Sequence, residues 1–202
     1  RELAIEGAQY PEHLLPINQF YNIAGRLAML GSGTSAQPFN TVEDYRAWAS
    51  RMKQIPRLFQ QAIENMKVGV KQDIVQPRVL IEKAIPQIDA QITEDVTQSI
   101  FWRPVKDLPE DIANTDAKAI REEYRDVIAN TVMPAYQKLS DYLSNEYLPE
   151  TRTDSFGLGQ LPGGTEWYEY RIKANTSTEL SADRIHNIGL DEVARIHGEM
   201  RD

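Results

Sequence analysis

Residues 116–147, DAKAIREEYRDVIANTVMPAYQKLSDYLSNEY, decide the fold. Their apolar residues fall at 117, 120, 124, 127/128, 132, 135/136, 139 and 142/143, in steps that alternate between three and four. That spacing draws one apolar stripe along an α-helix. A continuous helix of this length would run for about 48 Å at ~1.5 Å per residue. Pro134 predicts a kink near its middle, because proline lacks the N–H and crowds the carbonyl four residues back. Pro149 predicts its end.

The same period recurs on both sides. A first helix is expected from Pro16 to Leu30, closed by Gly31-Ser32-Gly33. Thr41 has the character of an N-cap, with Glu43 and Asp44 in the first turn where negative charge suits the helix dipole. Tyr45, Trp48, Ala49 and Met52 follow on that helix. Pro56 suits the first turn of the next helix, which carries Leu58, Phe59, Ala62, Ile63 and Met66 to about Lys71. Pro77 opens another, which Pro86 should kink or end. Residues 93–114 are irregular around a short helix at Thr97–Trp102, and Thr151–Gly164 is a polar, glycine-rich connection. A helix near Thr165 should hold Trp167 to Ala174, and the last should start at the N-cap Ser181, with Leu180 and Ile185 spaced as a hydrophobic staple. No strand-like alternation exceeds about four residues. The expected architecture is all-α, an irregular multi-helix domain over 1–202 with one long Pro-kinked helix and a sub-boundary near 151–164.

Of 202 residues, 41% are hydrophobic and 26% charged, as in a globular protein. The formal net charge of −8 disfavours a duplex nucleic-acid partner, which needs a basic face to displace counterions. No apolar run approaches the ~18 residues of a transmembrane helix. Without cysteine there are neither disulfides nor thiolate ligands, which suits periplasm, secretion and cytoplasm equally. The chain opens on Arg1, and helical periodicity continues from Ala182 to Asp202 without a Gly or Asn stop. It is therefore expected to be part of a larger protein, and its last helix, short of partners, to invite self-association.

Candidate chemistry is thin. His13 lies in a Pro-flanked turn. His186 and His197, eleven residues apart on one helix, share a face but stand ~16 Å apart along the axis, too far to ligate one metal ion. Asp183 and His186 make at most half a site, and no HExxH sequence is present. Glu192 falls inside the apolar arc of Ile185, Ile188, Gly189, Val193, Ile196 and Met200, so it is expected to be buried and paired, with Arg195, Arg171 or Lys173 as partners. Gly163-Gly164 offers backbone N–H groups at a helix start, where an anion can sit, although a tight turn explains the pair as well. Trp167, Tyr168 and Tyr170 either line a cleft or belong to the core.

The order of short motifs is more specific than any one of them. It runs Gln37-Pro38-Phe39, Thr41-x-x-Asp44-Tyr45, Ile63-x-Asn65-Met66-x-x-Gly69, Pro77-Arg78-Val79 with Lys83, then Pro134-Ala135-Tyr136-x-x-Leu139. Glu146-Tyr147-Leu148-Pro149, Gly157-Leu158, Leu161-Pro162-Gly163-Gly164, Trp167-Tyr168, Thr176-Ser177-Thr178, Leu180-Ser181, Ile185-His186 and Gly189-Leu190-x-Glu192-Val193 complete it. From about residue 16 onward the chain resembles the bacterial family of domain of unknown function 885. Its members are helical, several hundred residues long and similar to zinc metallopeptidases, with a His-Glu-x-x-Pro-Gly-His-His type motif well C-terminal of the segment matched here. The resemblance implies the N-terminal scaffold of a zinc-dependent peptidase or hydrolase. Its partners would be the C-terminal remainder of the protein and a peptide substrate. Zinc would belong to the whole protein, with no metal ligand in this chain. Substrate-cleft candidates are then Gly163, Gly164, Tyr168, Tyr170, His186 and Glu192. The rival reading is a non-catalytic helical binding or interaction module.

Overall fold

A computed structural model describes residues 9–201. Arg1, with which the chain opens, and the terminal Asp202 lie outside the described residues. The fold is all-α. Among the described residues there is no β-strand, only two isolated bridges, Ile17 with Asn22 and Pro77 with Arg152. The chain divides into two compact units, one spanning Glu12–Asp154 and a smaller one that includes residues 9–11 and 155–201.

The larger unit holds α1 (Ile23–Gly31), α2 (Val42–Met52), α3 (Ile55–Lys71), α4 (Arg78–Asp89), the four-residue α5 (Arg103–Lys106), α6 (Asn114–Val127) and α7 (Met133–Tyr142). The expected 32-residue helix is α6 and α7 in series, but its turns are not uniform. Ile128–Val132 and Leu143–Tyr147 are wider π turns, in which Met133 N–H bonds the Ile128 carbonyl and Leu148 N–H bonds that of Leu143. Each π turn ends two residues before a proline, Pro134 in one case and Pro149 in the other. A proline ring would crowd the carbonyl four residues back, at Asn130 and Asn145, and the widened turn relieves that clash. A widened turn thus precedes Pro134, at the place where the sequence predicts a kink. Val132 and Tyr147 stay in line with the buried Ala117, Ile120, Tyr124, Ile128, Tyr136, Leu139 and Leu143.

The other helices wrap this axis. α2 packs on α6, and α3 and α4 pack on α7. α3 buries Ile55, Phe59, Ile63 and Met66, a row spaced for one helical face. α2 starts with the expected cap. The Thr41 hydroxyl accepts from Asp44 N–H, while the Asp44 carboxylate accepts from the N–H groups of Thr41 at 2.9 Å and Asn40 at 3.0 Å. Those backbone donors hold the Asp44 carboxyl below its ordinary value. Pro86 neither ends nor breaks α4, which runs on to Asp89. Pro86 and Glu82, whose carbonyl loses its donor, both face solvent, so water can serve that carbonyl. Helix formation from Pro16 is also corrected, because α1 begins only at Ile23. The Asn18 side chain takes the N–H groups of Phe20 and Tyr21, which turns residues 17–22 back on themselves, and Asn22 caps α1. The irregular stretch around Thr97–Trp102 forms two 3-10 turns, Val96–Gln98 and Ile100–Trp102, that lead into α5.

Buried tyrosine hydroxyls tie loops to the helical axis. Tyr136 donates to the Ala24 carbonyl at 2.7 Å and Tyr124 to that of Tyr45 at 3.0 Å. The Tyr45 hydroxyl lies 3.0 Å from the Phe39 carbonyl oxygen and 3.2 Å from that of Pro104. Tyr147 accepts from Gln76 N–H at 3.1 Å. Burial raises Tyr45, Tyr124, Tyr136 and Tyr142 above the ordinary phenol range. It pushes Tyr147 up to about 12, against the lowering effects of Gln76 N–H and Arg152.

A raised folded-state value favours the protonated phenol. The stabilisation is complete below pH ~10, where unfolded tyrosine titrates, and is lost as pH rises through the folded values. Ultraviolet titration should leave Tyr124, Tyr136, Tyr142 and Tyr147 protonated to about pH 11 and release them together with the helical circular dichroism. Ionisation below that pH with intact helix would contradict the packing. Tyr136→Phe should lower unfolding free energy by about 1 kcal/mol in urea titrations, the usual net worth of one hydrogen bond.

Candidate functional site

All six cleft candidates fall in the smaller unit. It contains α8 (Gly164–Thr176) and α9 (Ala182–Glu199), with a 3-10 turn at Leu158–Gln160 ahead of α8. Gly163 precedes α8 with φ 65°, the left-handed region that favours glycine. Gly164 is buried, and a Cβ there would sit 2.0 Å from the Leu158 carbonyl oxygen. Its N–H donates to the Leu161 carbonyl at 2.8 Å, so it is not offered to an anion. Gly163-Gly164 is the close turn that lets α8 lie against the 3-10 segment.

α8 buries Trp167 under Tyr10, with ring centroids 6.0 Å apart and planes within 5°. The Tyr10 ring also lies 5.0 Å from that of Tyr170, and its hydroxyl donates to the Glu166 carbonyl at 3.1 Å. Beside these rings opens a depression of about 410 Å³, walled by Tyr10, Glu166, Glu169, Tyr170, Lys173 and Glu179 among others. Tyr170 therefore lines a pocket. Tyr168 is exposed outside it, and neither His186 nor Glu192 reaches it. Sequence reading passes over Tyr10, because its partners lie more than 150 positions away, and over Glu166, Glu169 and Glu179, which look like ordinary surface acids.

α9 starts where expected, with the Ser181 hydroxyl accepting from Arg184 N–H at 3.3 Å. Its apolar arc is not buried in this chain. No residue of α9 is buried, and Leu190, Val193, Ile196 and Met200 are between 43% and 79% exposed. The expected burial of Glu192 is corrected on the same ground: the helix it lies on buries no residue, and its side chain is exposed. Glu192 accepts from Arg195 Nε at 2.8 Å, and Arg195 also reaches Glu199. Those two hydrogen bonds raise the Arg195 pKa. An exposed pair of this kind contributes little to stability. His186 is exposed, and His13 is exposed in the 3-10 turn Glu12–Leu14.

Among the described residues, no group of three or more His, Asp or Glu side chains could hold a metal ion. The residues present therefore do not fit a zinc site. No helix of the described residues is long and apolar enough to cross a membrane.

Comparison with known proteins adds two likenesses. A family profile described as "Bacterial protein of unknown function (DUF885)" matches residues 1–202. The crystal structure of the "putative lipoprotein from Colwellia psychrerythraea" superposes with a TM-score of 0.83 at 25% identity, over 92% of this chain and 32% of that one. The chain thus spans about a third of the solved protein that it matches. No curated protein matches.

Gly164→Ala should destabilise the chain by about 1–3 kcal/mol, as overpacking against backbone does. Gly159→Ala, which meets nothing within 4 Å, should be close to neutral. Glu192→Ala should change stability by no more than about 0.5 kcal/mol, as at exposed surface positions. Thermal melting of the three variants checks the assignment, and a Glu192→Ala loss as large as that of Gly164→Ala would refute it.

Proposed function

This chain belongs to the bacterial family of proteins of unknown function DUF885, and on that premise we propose that it is the N-terminal helical scaffold of a longer zinc-dependent peptidase or hydrolase. In this reading the chain forms one wall of a cleft for peptide, and the candidate residues lie in the smaller unit. Tyr170, with Tyr10 and the neighbouring glutamates, faces that cleft. Gly163 and Gly164 shape its turn, and Tyr168, His186 and Glu192 remain as surface that a substrate or the rest of the protein can meet. The zinc ligands, the nucleophilic water and the general base are assigned to sequence beyond these 202 residues, where a metal can lower the pKa of its bound water.

The observation that carries this reading is α9. An 18-residue helix with an apolar arc and no buried residue is built to be covered. The solved relative supplies scale, since some two thirds of its length lies outside the match. Its printed description as a lipoprotein supports an exported location for the parent of this chain.

Elemental analysis and peptidase assays on a longer protein that contains this chain test the proposal. The longer protein should hold one zinc ion and cleave peptides, and the 202-residue chain should do neither. A longer protein free of zinc and inert toward peptides would leave the binding-module reading. Ile196→Lys should abolish any concentration-dependent self-association of the isolated chain in sedimentation. In the longer protein it should lower the melting temperature by several degrees, as a charge placed in a buried contact does. No effect in either setting would remove α9 as a contact face.

A further inference from the structure

We infer that a groove on the larger unit, between the turn at residues 17–22 and α1, receives the C-terminal end of a peptide: an apolar side chain seats against Phe20, Tyr21 and Met29, and the free carboxylate meets Arg26. This groove is a different site from the Tyr10–Tyr170 depression, and the inference goes beyond the proposed function.

The turn is built to hold its aromatic residues out. Ile17, which is fully buried, anchors one end and bridges to Asn22 at the other. The Asn18 carboxamide oxygen accepts from Phe20 and Tyr21 N–H at 2.8 Å each, and Asn18 N–H returns to the Tyr21 carbonyl. Gln87 on α4 locks the turn from outside. It accepts from the Asn22 amide at 3.2 Å and donates to the Gln19 carbonyl at 3.2 Å. A turn with this many local bonds presents Phe20 and Tyr21 in a fixed place, yet they are 74% and 82% exposed, and Met29 beside them is 55% exposed. Single exposed apolar residues are ordinary, but three gathered at one groove mark a contact surface.

The groove encloses about 630 Å³, within the usual range for ligand sites. The Asn22 and Gln87 amides are bonded to one another and to the turn, and the remaining walls are mostly apolar. Among the described residues Arg26 is the one charged side chain that lines it, in a chain whose formal net charge is −8. The Arg26 guanidinium has no ion pair or hydrogen bond among the described residues. Apolar walls with a single uncommitted cation call for an occupant that is apolar with one negative end. The planar guanidinium fork matches a carboxylate through two parallel hydrogen bonds. A phospholipid surface also combines apolar and anionic groups. The concave shape suits a side chain better than a flat bilayer, and the acidic chain is repelled by an anionic one.

Calorimetric titration of the 202-residue chain with acetyl-Ala-Ala-Phe, as free acid and as C-terminal amide, tests the inference. The acid should bind saturably. The amide should bind roughly fivefold or more weakly, and Arg26→Gln should weaken the acid by a similar factor, as loss of a charge-assisted fork requires. Phe20→Ser should remove the binding, and both variants should keep the parent melting temperature because the residues are exposed. No saturable binding, equal binding of acid and amide, or indifference to Arg26→Gln would overturn the inference. Flotation with phosphatidylcholine–phosphatidylglycerol vesicles that depends on Phe20, without peptide binding, would assign the groove to lipid and overturn it too. Failure here is distinct from failure of the proposed function. An inert longer protein that still binds the acid retains the inference, and an active one that does not bind it loses the inference alone.

Discussion

The central constraint on the larger unit is the accommodation of Pro134 and Pro149 within the helical axis of residues 114–150. Each removes a donor and pushes on the carbonyl four residues earlier. A uniform α-helix would have to bend or stop at both places. The π turns Ile128–Val132 and Leu143–Tyr147 absorb the strain locally, and the buried face stays continuous from Ala117 to Tyr147. With that face unbroken, α2, α3 and α4 can all bury against one axis.

Tyrosines then convert an apolar axis into a specific one. A phenol fills core volume as phenylalanine does, but its hydroxyl has to find a partner when it is buried. Tyr136, Tyr124 and Tyr45 find backbone carbonyls in α1, α2, the loop at Phe39 and α5 at Pro104. Each such bond fixes where a surrounding element crosses the axis, because a displaced element would leave a buried hydroxyl unpaired. Tyr147 and Arg152 do the same at the far end. Arg152 N–H bonds the Gln76 carbonyl and its guanidinium bonds that of Val75, which returns the chain to the start of α4.

The smaller unit follows a different logic. Its packing centres on Trp167 under Tyr10 and on the close approach of Gly164 to Leu158. α8 is well seated by these contacts, whereas no residue of α9 is buried. The contrast is between a helix that buries a tryptophan and an amphipathic one that buries no residue.

Local chemistry made most elements readable from the sequence alone. The three-and-four spacing of 117–143 announces the axis, and Thr41 with Asp44 announces the start of α2. Ser181 announces the start of α9, and the absence of a stable alternating run announces an all-α class. These signals act within a few residues of one another, so no tertiary knowledge is needed to read them. Tertiary structure decided the rest. Whether Pro86 stops a helix depends on which side of α4 faces water, and no propensity encodes the widened turn before Pro134. Residues 17–22 carry apolar residues at helical spacing, but Asn18 wins their N–H groups and turns them into a groove. Glu192 shows the limit most clearly. Periodicity states correctly that it shares a face with Ile188 and Ile196, but burial is a property of what lies opposite that face, and a helical period carries no information about the neighbour.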